Sequence, residues 1–167
     1  MPGYSRSECG ERPPGNPGQP SARAGFTIVE LLAVIAIIGL LAGIAIPRVK
    51  STVNAANIAK AIGDIEAIQI DLESIEAGGT PLPANLSAIG RGTLLDPWGN
   101  PYQYYPFAGN PPGGRRKDRF LVPINSTFDL YSSGPDGRSS PPLTAGASQD
   151  DIVRANDGGF IGVASNY

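Results

Sequence analysis

Residues 26–46 read FTIVELLAVIAIIGLLAGIAI, a run of 21 residues with one charge, Glu30. A helix rises 1.5 Å per residue, so this run reaches roughly 31 Å, the thickness of a bilayer's hydrocarbon layer. A helix that is apolar all round is either wrapped by a large core or set in lipid. The chain has 167 residues, too few to wrap such a helix on every side, so the run is expected to span a membrane. An acid near its start is costly in lipid. Gly39 and Gly43 give the helix a small-residue face that another helix can approach closely.

What precedes the run is the reverse of an ordinary secretory signal, in which the apolar region comes before the cleavage site. Residues 1–25, MPGYSRSECGERPPGNPGQPSARAG, hold five Pro and five Gly and end in Arg23-Ala24-Gly25. Such a segment cannot bury enough apolar surface to offset its ordering entropy and is expected to be disordered. Over the whole chain, 13 Lys+Arg stand against 15 Asp+Glu, and there is no His. A near-neutral chain lacks the basic footprint of a nucleic-acid binder. Without His there is no His–metal site and no Ser-His-Asp or Cys-His nucleophile system. No paired catalytic group has a plausible partner, so an enzyme is not expected. The single Cys, Cys9, leaves no internal disulfide. Gly and Pro together make up 39 residues, about twice the usual share, so much of the chain is turn and loop.

Beyond the apolar run, Ile58, Ile62, Ile65, Ile68, Leu72 and Ile75 recur at spacings of three and four, with Asp64, Asp71 and Glu73 between them. This is the pattern of an amphipathic helix with one stripe facing a core. Pro47 is expected to kink the junction, and Gly78-Gly79-Thr80-Pro81 to end the helix. Residues 26–77 thus read as one helix of roughly 78 Å. Residues 83–90 suggest a short helix. Asp96-Pro97-Trp98-Gly99-Asn100-Pro101 is a run of turn formers, with Trp98 a core anchor. Three strand candidates follow: Tyr102–Tyr105, Phe120–Val122 and Phe128–Tyr131. The expected fold is α+β, with one long N-terminal helix packed on a small antiparallel sheet with long loops. The basic cluster Arg115, Arg116, Lys117 and Arg119 reads as a solvated loop tip, or else as a rim contact with another subunit.

Gly25-Phe26-Thr27-Ile28-Val29-Glu30-Leu31-Leu32 resembles the processing site of the type IV pilin superfamily. The resemblance implies that a membrane aspartyl peptidase, the prepilin peptidase, cuts between Gly25 and Phe26 and methylates the new amine of Phe26. It makes Glu30 the acid that guides assembly, and it matches Pro47 to a helix-kinking proline common in the family. The domains are then a cleaved leader 1–25, a transmembrane or filament-core helix 26–47, and a periplasmic pilin-like domain 48–167. In that last domain, 48–77 is the amphipathic helix and 78–167 the loops and small sheet. Physical chemistry agrees: after the cut, Phe26 carries a positive amine close to the negative Glu30. In a packed filament the amine of one subunit can meet the Glu30 of a neighbour, and buried charges lose far less when paired than when alone.

The motifs Asp96–Tyr104 and Phe128–Gly137 together are similar to the C-terminal part of the major, G-type pseudopilins of type II secretion. That resemblance implies one calcium ion in the loop after the second motif. Asp136 matches an acid of the family's turn, Ser133 a position offering a backbone carbonyl, and Asp151 a later acid, with Asp150 beside it. Calcium takes six to eight hard oxygen ligands, and a loop with Asp136, Asp150, Asp151 and Asp157 has that supply. Two features depart from the family pattern. The segment 106–127 is longer and basic, and the loop 138–149, with Pro141-Pro142, replaces a Gly-rich stretch. The function implied is a structural subunit of a type II secretion pseudopilus. It would polymerise into a helical filament with its own copies and minor pseudopilins, on an inner-membrane assembly platform with its ATPase. It would be a single-pass inner-membrane protein of a Gram-negative-type envelope, with its C-terminal domain in the periplasm. The alternative is a type IV pilin or minor pilin for adhesion, motility or DNA uptake, usually with a larger sheet and a C-terminal disulfide.

Overall fold

The computed structural model describes residues 25–167. The expected leader, apart from Gly25, and its Cys9 lie outside the described residues. Contacts divide the chain after Gly43. Helix α1 spans Ile28–Ala77, continues through Pro47, and comes within two residues of the expected start. Its end is set as expected. The amide of Gly78 donates to the Ser74 carbonyl and that of Thr80 to the Ile75 carbonyl, while Gly79 takes the left-handed conformation at φ 74°.

In the first unit, every large apolar side chain from Ile28 to Leu41 is exposed, between 48% and 77%. Nothing among the described residues covers this stretch, which is long and apolar enough to cross a membrane.

In the second unit, α1 turns one stripe inward. Ala61, Ile65, Ile68 and Leu72 are buried, with Ile58 and Ile62 packed beside them. They meet an antiparallel meander in the order β1 (Gln103–Pro106), β2 (Phe128–Ser132), β3 (Ile152–Ala155), β4 (Phe160–Val163). Successive side chains of a strand point to opposite faces. Phe128, Leu130 and Ile152 therefore pack toward the α1 stripe, with Leu86, Tyr102 and Trp98 joining them. Val153 and Ala155 form a second core with Ile124, Leu143 and Ala164, against which Tyr131 packs. Both faces of the sheet are covered, one by the helix and the other by loops.

Polar bonds fix the helix to the sheet. The Arg154 guanidinium, buried on β3, donates to Gln69 Oε1 at 3.0 Å, lies 3.6 Å from the Glu73 carboxylate and stacks 4.1 Å from the Phe128 ring. Tyr102 donates its hydroxyl to Asp64 at 2.8 Å, and Arg91 donates to Asp71 at 2.9 Å. The short helix expected at 83–90 is a 3-10 turn, Leu86–Ile89.

Two strand expectations need correction. Phe120–Val122 is a tight turn, not a strand. The Asp118 carboxylate accepts the amides of Phe120 and Val122 at 2.8 and 2.9 Å, and Leu121 sits at φ 63°. Those amides are taken by a side chain, so no ladder forms. Conversely, β3 and β4 were not expected. They are joined by a turn in which Asn156, Asp157 and Gly158 all have positive φ.

Candidate functional site

The N-terminal site is built by local chemistry. A helix start leaves backbone amides without partners, and here Thr27 and Glu30 satisfy them reciprocally. The Glu30 amide donates to Thr27 Oγ1 at 3.2 Å, while Glu30 Oε2 accepts the Thr27 amide at 2.9 Å and the Thr27 hydroxyl at 2.8 Å. This is a capping box. It holds the carboxylate at the mouth of α1, beside Gly25 and Phe26, and gives it two donors in an otherwise apolar neighbourhood. Phe26 is 88% exposed, so the Gly25–Phe26 bond and the Phe26 ring are open to a partner. Thr27 is a residue that the sequence reading passed over. Its signal was present: Thr-x-x-Glu ahead of an apolar run.

The second candidate region lies at the ends of β2 and β3, where the two aromatic and glycine-rich motifs meet. Asp96 is buried. Its Oδ1 accepts the amides of Trp98 and Asn100 at 3.0 and 2.8 Å, and its Oδ2 accepts the Ser132 hydroxyl at 2.6 Å. Asn100 Nδ2 in turn donates to the Gly134 carbonyl at 3.0 Å. Gly134 is at φ 63°, and a Cβ there would stand 2.4 Å from the Asp150 carbonyl oxygen. Only glycine fits this turn without displacing backbone. Gly134→Ala is expected to lower stability by about 2–4 kcal/mol, from left-handed strain plus overlap. Denaturant unfolding of the full-length protein in detergent measures this loss.

The expected calcium ligands separate here. Asp136 is exposed, and its Oδ1 accepts the Arg138 amide at 2.7 Å. Asp150 Oδ2 accepts the Asp136 amide at 3.3 Å, so these two acids are neighbours. Ser133 is buried at the head of the same turn. Asp151, fully buried, points elsewhere. Its Oδ2 accepts from the Arg116 guanidinium and from the Ser139 hydroxyl. Burial pushes its carboxyl up to about 6, against the opposing pull of Ser139 and Arg116. Its Oδ1 is buried without a protein partner. That is a single free acceptor, where calcium requires six to eight oxygens. Among the described residues, no three His, Cys, Asp or Glu side chains form a group able to hold a metal. Asp136, Asp150, Asp151 and Ser133 do not fit a calcium ion as they are arranged, because the acid that would close the cage is bound to a cation of the chain itself.

The basic cluster needs a matching correction. It is not all solvated loop tip. Arg116 is only 2% exposed, and its guanidinium lies 4.4 Å over the Tyr131 ring. The Arg115 guanidinium lies 4.2 Å over the Phe107 ring, and only Arg119 is exposed.

An apolar helix opening on a capped acid, followed by an antiparallel meander laid on its amphipathic half, defines a pilin-like protein. The sequence comparisons agree. The model of the prokaryotic N-terminal methylation motif matches residues 20–46. The type II secretion system core protein G of Pseudomonas aeruginosa is 33% identical over 138 residues, covering 70% of this chain and 86% of the relative. That of Escherichia coli K12 is 33% identical over 150 residues, covering 77% and 88%. A fimbrial protein of Pseudomonas aeruginosa is 40% identical, but over 53 residues, 32% of this chain and 34% of the relative. No solved structure matches the chain. The chain belongs to the type II secretion system core protein G family, the major pseudopilins of the type IV pilin superfamily.

Proposed function

We propose that this chain is a structural, non-enzymatic subunit of a type II secretion pseudopilus, anchored by residues 26–47 in the inner membrane with its C-terminal domain in the periplasm. The prepilin peptidase removes the leader after Gly25 and methylates Phe26. The subunit then joins copies of itself and minor pseudopilins through α1, on an assembly platform driven by an ATPase, and the growing filament pushes folded protein outward. The observation that carries this over the pilus alternative is extent. Likeness to core protein G runs through most of the chain, whereas likeness to the fimbrial protein covers about a third of it.

The exposed apolar front of α1 supports the assembly step. Side chains that nothing among the described residues covers would be covered by lipid before assembly and by neighbouring helices afterwards. Deleting the gene is expected to leave secreted proteins trapped inside the outer membrane, with surface adhesion and motility intact. Mass spectrometry of the protein from native membranes should find the mature chain starting at a methylated Phe26. Normal export with loss of adhesion or motility would transfer the protein to the pilus class. A mature start at a residue other than Phe26 would refute the processing site.

A further inference from the structure

The buried Arg116 sits in surroundings that resemble an ion site more than an ordinary ion pair. Its guanidinium donates to the Asp151 carboxylate, to the Ser140 carbonyl and, at 2.6 Å, to the Ser139 hydroxyl, with the Tyr131 ring as a floor at 4.4 Å. Its backbone amide donates to the buried Asp129 carboxylate at 2.6 Å. A carboxylate, a hydroxyl and a carbonyl are the hard-oxygen donors that a divalent cation would take, and an aromatic face attracts a cation as well. We propose that Arg116 is the built-in cation of this domain. It does the work of the calcium that the family resemblance implies, and the domain therefore folds and holds its loops without metal.

Two departures in the sequence meet at this point. Arg116 comes from the long basic segment 106–127, and Ser139 and Ser140 from the loop that replaces a Gly-rich stretch. The two segments also pair along their backbones. The Lys117 amide donates to the Pro141 carbonyl at 2.9 Å, and the Leu143 amide donates to the Lys117 carbonyl at 2.8 Å. The Ser148 hydroxyl accepts the Ser140 amide at 2.8 Å and closes the far side. Each segment supplies what the other needs: one brings the charge, the other the oxygens. A divalent ion placed on the Asp151 carboxylate would stand against a guanidinium in a low-dielectric interior, where like-charge repulsion is strong. Asp136 and Asp150 remain as an open pair on the other side of the turn, one exposed and both hydrogen-bonded to neighbouring backbone.

The test is thermal melting of the full-length protein in detergent, with millimolar calcium or with a calcium chelator. The wild-type midpoint is expected to be the same in both, within about 1 °C. A wild-type midpoint that rises with calcium by more than about 3 °C overturns the proposal, and this arm does not depend on any variant folding. Arg116→Met is expected to lower the midpoint by at least about 5 °C, because it leaves Asp151 as an unpaired buried charge. Arg116→Lys should lose less, since it keeps the charge but not the fork. The double variant Arg116→Met with Asp151→Asn should recover part of the loss. A double variant as unstable as Arg116→Met alone would show that Arg116 acts by packing and not as the partner of Asp151, and would overturn the proposal. Arg116→Met melting like wild type would do so too.

Discussion

Ile65→Asp is expected to abolish the protease-resistant fold of residues 44–167 while leaving insertion of α1 in the membrane unchanged. Ile65 is fully buried in the stripe that meets Phe128, Leu130 and Ile152. The substitution removes a large apolar side chain and puts a carboxylate in its place. Loss of the aliphatic side chain costs about 2–5 kcal/mol, and an unpaired buried charge adds several more. Domains of this size are stable by only about 5–15 kcal/mol, so the sum reaches the whole margin. Arg154, the buried cation of β3, is already held by Gln69, Asn125 and Glu73. Limited proteolysis of membranes is the readout, with Ile70→Asp as control. Ile70 lies five residues along the same helix but is 65% exposed, and its variant should digest like wild type. Equal resistance of Ile65→Asp and wild type would mean that the stripe does not carry the sheet.

Glu30→Val is expected to insert normally and to form filaments at least about tenfold less, because the neighbour's amine is left as an uncompensated buried charge worth about 3–5 kcal/mol per contact. The capping box complicates this variant. Valine removes both the charge and the acceptor for the Thr27 amide and hydroxyl, and losing a cap alone costs about 1 kcal/mol. Glu30→Gln separates the two, since glutamine also serves in a capping box but carries no charge. Cross-linking of filaments on cells should show Glu30→Gln nearly as defective as Glu30→Val, and Thr27→Ala much less so. Normal yield in Glu30→Gln would assign Glu30 to capping the helix rather than to pairing across subunits.

The strands show where sequence signals run out. β1 and β2 were legible because aromatic residues cluster there beside turn formers. β3 and β4 are four residues each, and they contain Arg154 and Gly162 in place of apolar alternation. They are strands because their backbones pair, Ile152 with Val163 and Ala155 with Phe160, and because both faces of β3 are covered. Phe120–Val122 had the better strand composition and is a turn, since one carboxylate four residues or fewer away captures its amides.

Local and repetitive information settled the long helix, its apolar front, its inward stripe, the glycine stop and the processing signature. Each of these depends on residues within a turn or two of one another, so nearness in sequence is nearness in space. The partner of Asp151 is a different kind of fact. Arg116 lies 35 residues away, and the serines that complete its site come from a third segment. Four acids and five bases in two loops allow many pairings, and sequence ranks none of them. The choice falls to the sheet, whose loop-covered face buries Arg116, Asp129 and Asp151 together. A charge taken out of water must be matched within a few ångströms, and only the folded chain sets which opposite charge stands that close.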